Sequence, residues 1–252
     1  MIKKIILFLL SIFVVLGFLY INKKETVAII GAMDVEIEEI SNNLYNIKNK
    51  QINDFNIVRG NIGKYNIILS KSGVGKVSAA TTTQFIIDKY KPNYIINIGI
   101  VGSVSPELKV GDTVIAEKMV QHDFDVTAFG NPKGYMDKGL EPDKPTIYYS
   151  DKNLIKIFTK NKTLIKCSAA TGDIFVTDTK LKQSIKKEFD ADIIDMESAA
   201  IAQTAQRNNI PVIVIKAVSD SIEGNTNEYM QNKQSIACKP AQTVLDVLKS
   251  NK

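Results

Sequence analysis

The sequence predicts a three-layer α/β/α domain around a central mixed, mostly parallel sheet. Three observations carry that expectation. From Thr26 onward, short runs rich in Ile and Val alternate with stretches of helical periodicity. The runs are apolar throughout, as strands covered on both faces are. Glycines or polar residues stand where the runs end, and in such sheets ligands bind beyond the carboxyl ends of the strands. The 252 residues, 44% hydrophobic and 23% charged, suffice for one sizeable core.

The elements follow in order. "TVAIIGA" (26–32) is a short strand ending at Gly31. "DVEIEEISNNL" reads as an amphipathic helix with Val35, Ile37 and Ile40 inward. "FNIVRGNIGKYNIILSKSGVGK" gives two strands joined by a turn at Asn61–Ile62–Gly63, then a glycine loop. "VSAATTTQFIIDKY" is a helix starting after Gly75 and ended before Pro92. "NYIINIGIVGS" is a buried strand running into a second glycine loop, and "GDTVIAEKMVQHDFD" a longer strand. Residues 129–150, rich in Gly and Pro, form a loop. "DKNLIKIFTKN" (helix), "TLIKCSAATGDIFV" (strand) and "DTKLKQSIKKEF" (helix) come next. "ADIIDM" (strand), "ESAAIAQTAQRNN" (helix) and "PVIVIKAVSD" (strand) succeed them, and "NEYMQNKQSIACKPAQTVLDVLKSN" closes the chain as one helix.

Residues 1–24 stand apart. Lys3 and Lys4 precede an apolar run from Ile5 to Ile21. Its length lies between a cleaved signal core of about 7–15 residues and a spanning helix of about 17–25. Residues 1–24 are therefore expected to be a signal peptide or membrane anchor, and residues 25–252 the folded domain. Export follows, with the protein anchored in the membrane or released as a periplasmic or secreted form. Cys167 and Cys238 form no CxxC motif and are expected to be two free buried thiols, although an oxidising compartment would permit a disulfide. With His122 as the one histidine, neither a histidine metal cluster nor a Ser-His-Asp hydrolase is expected. No metal or other cofactor is called for. The net charge of +5 is carried mainly by lysine, with Arg59 and Arg207 the two arginines. The chain has no basic helix interleaved with aromatics, so nucleic acid is not an expected partner. The lysine excess leaves only weak support for binding a polyanion.

Three carboxylates fall at predicted strand ends: Glu36, Glu197 and Asp220. Met33, Met196 and Phe175 adjoin them. Singly, Glu36 is an ordinary acid at a helix N-terminus, Asp220 a helix cap, and the apolar residues core. As an ordered set, the acids and the slot of thioether and aromatic surface suit a ligand with a sugar, a flat base and an apolar tail. Asp195, two residues before Glu197 in "IIDMESAA", is expected to be structural, and His122 to have no catalytic role.

"IIGAMDVEIEEI", "SGVGKV", "VGDTVIAEKMVQHDFDVTAFG", "SAATGDIFV", "DMESAAIA" and "VSDSIEG" occur in this order. Together they resemble the 5'-methylthioadenosine/S-adenosylhomocysteine nucleosidases, which have the nucleoside phosphorylase-like fold. The resemblance runs from about Thr26 to the C-terminus. It implies hydrolysis of the N-glycosidic bond of methylthioadenosine and S-adenosylhomocysteine, and of 5'-deoxyadenosine as a further candidate. Glu36 would activate the attacking water. Asp220, supported by Ser219, would protonate N7 of the departing adenine. Glu197 would grip the ribose hydroxyls, Phe175 would stack on adenine, and the backbone of Val176 would read its edge. Met33, Val74 and Met196 would line the ribose and alkylthio region. Val126 and Phe129 match residues with which a partner subunit closes the tail pocket, which implies a homodimer.

Two positions depart from the family pattern. Where "NTGSAGG" is common this chain reads "NIGIVGS", with Ile100 in place of a serine, and Lys216 stands where an arginine is common. Two rivals remain. A phosphate-dependent purine nucleoside phosphorylase needs cationic groups for phosphate, and "GAMDVE" places an acid after the first strand instead. An exported polyanion-binding protein on the same fold is the other.

Overall fold

The computed structural model describes residues 24–136, 143–160 and 164–250. The apolar run Ile5–Ile21, and with it the expected anchor, lies outside them. Among the described residues no helix is long and apolar enough to cross a membrane.

Ten strands form one mixed sheet, and its centre is parallel. β1 (Thr26–Gly31) lies between β4 (Tyr65–Lys71) and β5 (Tyr94–Ser103), and β5 pairs on with β10 (Val212–Asp220), all parallel. β6 (Thr113–Gln121), β8 (Ile165–Thr171) and β9 (Ile193–Asp195) form a second parallel group. Antiparallel pairs join the groups at both sides, β10 to β6 and β5 to β9. The strands β5, β9, β8, β6 and β10 therefore close a ring. β3 (Phe55–Ile62) and β2 (Tyr45–Ile52) extend the far side antiparallel, and β7 (Tyr148–Tyr149) pairs with β6.

The apolar strands work as the sequence requires, one residue to each face. Val27 and Ile29 enter one core and Ala28 and Ile30 the other; Ile213 and Ile215 against Val212 and Val214 repeat the division. Helices α2 (Lys76–Tyr90) and α5 (Ser198–Arg207) cover one face. Helices α1 (Asp34–Asn42), α3 (Lys152–Thr159) and α7 (Cys238–Ser250) cover the other. Helices α4 (Thr179–Phe189) and α6 (Thr226–Ile236) flank the ring. The α/β layers around a mixed sheet are as expected.

Five local expectations need correction. The final helix is two, α6 and α7, broken at Ala237; Pro240 lacks an N–H, and its ring would clash with the carbonyl of residue 236 in a continuous helix. β2 escaped notice because "YNIKNKQI" is exposed along nearly all its length and has no apolar face; its lysines suit an edge strand. The two residues of β7 lie inside the expected 129–150 loop, too short for any periodicity. The β3–β4 turn falls at Gly63–Lys64, with Gly63 at φ +53°, one residue beyond the expected place. Finally, Cys167 is buried, but Cys238 is exposed at the start of α7; both are free.

Candidate active site

The carboxyl ends of β1, β5, β9 and β10 converge on a cavity of about 440 Å³. Glu36, Glu197, Asp220, Ser219, Met33, Met196, Val74, Phe175 and Val176 all line it. Val126 and Phe129 do not; they belong to a short 3-10 turn, and Phe129 is 84% exposed.

Glu36 is the buried residue of the first turn of α1, where the sequence pattern expected Val35 and Ile37 inward; these are only partly buried. Its carboxylate bends back over the strand ends. Oε2 accepts from the backbone N–H of Ala32 at 2.7 Å and of Met33 at 2.9 Å, and Oε1 from that of Ile100 at 2.9 Å. A Cβ on Gly99 would lie 2.6 Å from Oε1, so glycine is required there. A helix N-terminus favours the anion, but here burial outweighs it. The carboxyl is pushed above its ordinary range, against the opposing pull of Lys216 and the three N–H donors.

Glu197 stands at the N-cap position of α5, two residues after β9, and its side chain turns away from the helix to accept from the Gly75 N–H at 2.9 Å. Burial first, and the charge of Asp195 second, push its carboxyl up to about 7. Asp195 points the other way. It accepts from Thr171 Oγ1 at 2.6 Å, from the Ser198 N–H at 3.0 Å and from the Ser198 hydroxyl, and it pairs with Lys216 Nζ at 3.2 Å. Lys216 is 2% exposed. Burial opposes its charge, but Asp195, Glu197 and Glu36 outweigh burial and hold the ammonium above the ordinary lysine range.

Asp220 ends β10. The β5–β10 register shifts between Val218 and Asp220, so that Asp220 pairs with Gly102 and Ser219 is the extra residue of a bulge. The Ser219 hydroxyl is within reach of Asp220 Oδ1 at 2.8 Å and of the Val101 carbonyl at 3.0 Å. A Cβ on Gly102 would sit 2.9 Å from Asp220 Oδ2. Lys182 Nζ donates to that same oxygen at 3.0 Å.

Sequence reasoning missed Lys182, Tyr229 and Met230. Tyr229 meets Phe175 edge to face, with ring centroids 5.0 Å apart, and its hydroxyl reaches Met33 Sδ at 3.6 Å. Its signal was present as an aromatic near the start of the last helical stretch, but the single-helix reading gave that stretch no reason to face the site. His122, which was given no role, is buried against Gly172 with Nε2 unpartnered. Among the described residues no group of His, Cys, Asp and Glu could hold a metal ion.

A family model described as the phosphorylase superfamily matches residues 26–249. The 5'-methylthioadenosine/S-adenosylhomocysteine nucleosidase of Bacillus subtilis is 36% identical over 231 residues, 88% of this chain and 97% of that protein. The chain belongs to the phosphorylase superfamily, among these nucleosidases. Its counterpart from Buchnera aphidicola is also 36% identical, over 82% of this chain and 90% of its own. The nucleosidase of Neisseria meningitidis, solved in complex with methylthio-immucillin-A, superposes with a TM-score of 0.83 at 33% identity, covering 90% of this chain and 99% of its own. In this family member, Ile100 offers Glu36 a backbone N–H, a contact that does not depend on which side chain stands there.

The Glu197 carboxyl makes stability depend on pH. Its value near 7 in the fold lies above its ordinary 4.5, so the folded state holds a proton the unfolded chain has lost. That contribution is complete below about pH 4.5 and lost as pH rises to about 7. It amounts to on the order of 3 kcal/mol. Urea unfolding across this window should show stability falling with pH, and Glu197→Gln should flatten the slope. An equal slope in both proteins would refute the assignment.

Proposed function

We propose that the chain hydrolyses the N-glycosidic bond of 5'-methylthioadenosine and S-adenosylhomocysteine, with 5'-deoxyadenosine a further candidate, releasing adenine and the ribose portion. The observation that carries this is the placement of two acids along one strand. Glu36 crowds Gly99 and Asp220 crowds Gly102, three residues apart on β5, or on the order of 10 Å along the strand. That leaves room for a sugar and a water between a base on one side and an acid on the other.

The roles follow from the chemistry. Asp220 gives its proton to N7 of adenine as the C1'–N9 bond breaks, with Ser219 supporting it. Glu36 takes a proton from the water whose oxygen bonds to C1'. A carboxylate has about four lone-pair sites; three backbone donors occupy Glu36, which leaves one for water. A carboxyl raised by burial is also a better proton acceptor. Glu197 holds the ribose hydroxyls, Phe175 stacks on the base, and the Val176 backbone reads its edge. Met33, Val74 and Met196 line the ribose and thioether.

The test is free adenine released from methylthioadenosine by the full-length protein in phosphate-free buffer. Glu36→Gln should lower that rate by roughly 100-fold or more. Adenine appearing only when phosphate is added would mean a phosphorylase. No adenine in either buffer would favour a binding protein on this fold.

The same reading takes a homodimer in which Val126 and Phe129 of each subunit close the tail pocket of the other. The exposure of Phe129, Val77 and Val74, at 84%, 74% and 52%, supports it. Phe129→Ala should raise KM for methylthioadenosine more than it lowers kcat; an unchanged KM, or a monomer by light scattering, would sink it.

Residues 1–24 carry the chain out of the cytoplasm, and residues 25–252 form the nucleosidase domain. The basic start and apolar run support this. The protein should fractionate with membranes with an intact mass beginning at Met1, or outside the cytoplasm with a shorter mass; full-length protein in the cytoplasmic fraction would refute export.

A further inference from the structure

Lys182 is fully buried, at 0% exposure, with Ile185 the other buried residue of α4. Lysine is almost never fully buried unless paired. Here the ammonium makes all three of its hydrogen bonds inside the protein. It donates to Asp220 Oδ2 at 3.0 Å, to the Ser221 carbonyl at 2.8 Å and to the Gly224 carbonyl at 3.0 Å. One cation thus holds the last residue of β10 and both ends of the turn after it. That turn leads into α6, which brings Tyr229 and Met230 to the cavity. Stability alone gives a poor reason for such a residue, because apolar replacements of buried ion pairs are often neutral or stabilising.

We propose that Lys182 is a positioning residue for the glycosidic reaction. By fixing Oδ2 of Asp220 and the Ser221–Gly224 turn together, it aims the carboxyl at the leaving base and registers α6 against it. Lys182 does not line the cavity and acts through Asp220. This inference rests on the reading of Asp220 as the acid that protonates the base.

A departing group that needs no proton separates positioning of the acid from general support of the fold. The full-length protein and its Lys182→Met and Asp220→Asn variants would be compared on methylthioadenosine and on the 4-nitrophenyl glycoside of 5-methylthioribose, whose leaving group departs as a stable anion. Lys182→Met should lower kcat on methylthioadenosine by roughly 100-fold, the penalty of a misplaced group, with KM nearly unchanged. Its rate on the nitrophenyl glycoside, whose leaving group needs no proton, should fall far less than its rate on methylthioadenosine, and Asp220→Asn should show the same inequality. The double variant should be no slower on methylthioadenosine than Asp220→Asn alone, because residues acting as a unit do not add.

Equal losses on both substrates, or losses that multiply in the double variant, would overturn the proposal. If wild type does not turn over the nitrophenyl glycoside, the double variant decides alone. If Lys182→Met does not fold by circular dichroism, Lys182→Gln, which keeps a donor, carries the same comparison. Wild-type protein that releases no adenine would instead defeat the nucleosidase reading itself, a result visible before any variant is made.

Discussion

Three acids at the site depend on the buried cation Lys216. Asp195, Glu197 and Glu36 share a largely dry region, and Lys216 is the positive charge that all three feel. Burying carboxylates without a partner is expensive. Lys216 can serve them only because β10 runs parallel to β5 with Lys216 beside Gly99, where a side chain would fill the space between the lysine and Glu36. Sheet register, a missing Cβ and a buried ammonium are therefore one device. It lets Asp195 take the full ion pair while Glu36 and Glu197 are stabilised enough to remain inside yet still titrate upward.

The two departures from the family pattern acquire a physical meaning in this arrangement. Lysine lacks the bidentate fork of arginine, but its contribution here is a point charge among three acids. Ile100 has no hydroxyl to offer, yet its backbone N–H holds Glu36, and its side chain belongs to a small apolar cluster with Ala217, Ile236 and Ala237. That cluster packs the end of α6 against β5 and β10.

Much of this is legible in the sequence alone. Apolar runs such as "TVAIIGA" and "PVIVIKAV" read correctly because both faces of each strand are buried, so composition alone marks them. The three acids were found because strand ends in α/β sheets are where ligands bind, and Glu36, Glu197 and Asp220 each follow or finish an apolar run. The features that escaped depend on chain segments far apart. Lys182 sits in a helix with several other lysines, and only the fold shows that it alone is buried among them. The inward turn of Glu36 was hidden for a related reason: a hydrophobic pattern assigns the inner face to Val35 and Ile37, and cannot express an acid anchored by N–H groups just after β1 and within β5. β2 has no apolar signal because it is held by its ladder with β3 and little else.

The bulge at Ser219 ties the two halves of the site together. Lys216 and Asp220 lie on the same strand, and one must face the Asp195 cluster while the other meets Gly102 and Lys182. An unbroken strand would fix both by strict alternation. Inserting Ser219 as an unpaired residue breaks that relation and re-aims Asp220, as bulges beside functional sites do. The freed serine hydroxyl then lies between the Val101 carbonyl and the Asp220 carboxyl, anchoring the re-aimed acid to the neighbouring strand. Two charged groups, Lys216 with its three acids and Asp220 with Lys182, are thus set apart on a single strand, each with its own ammonium. On the proposed reading, that separation lets one acid accept a proton while the other gives one up.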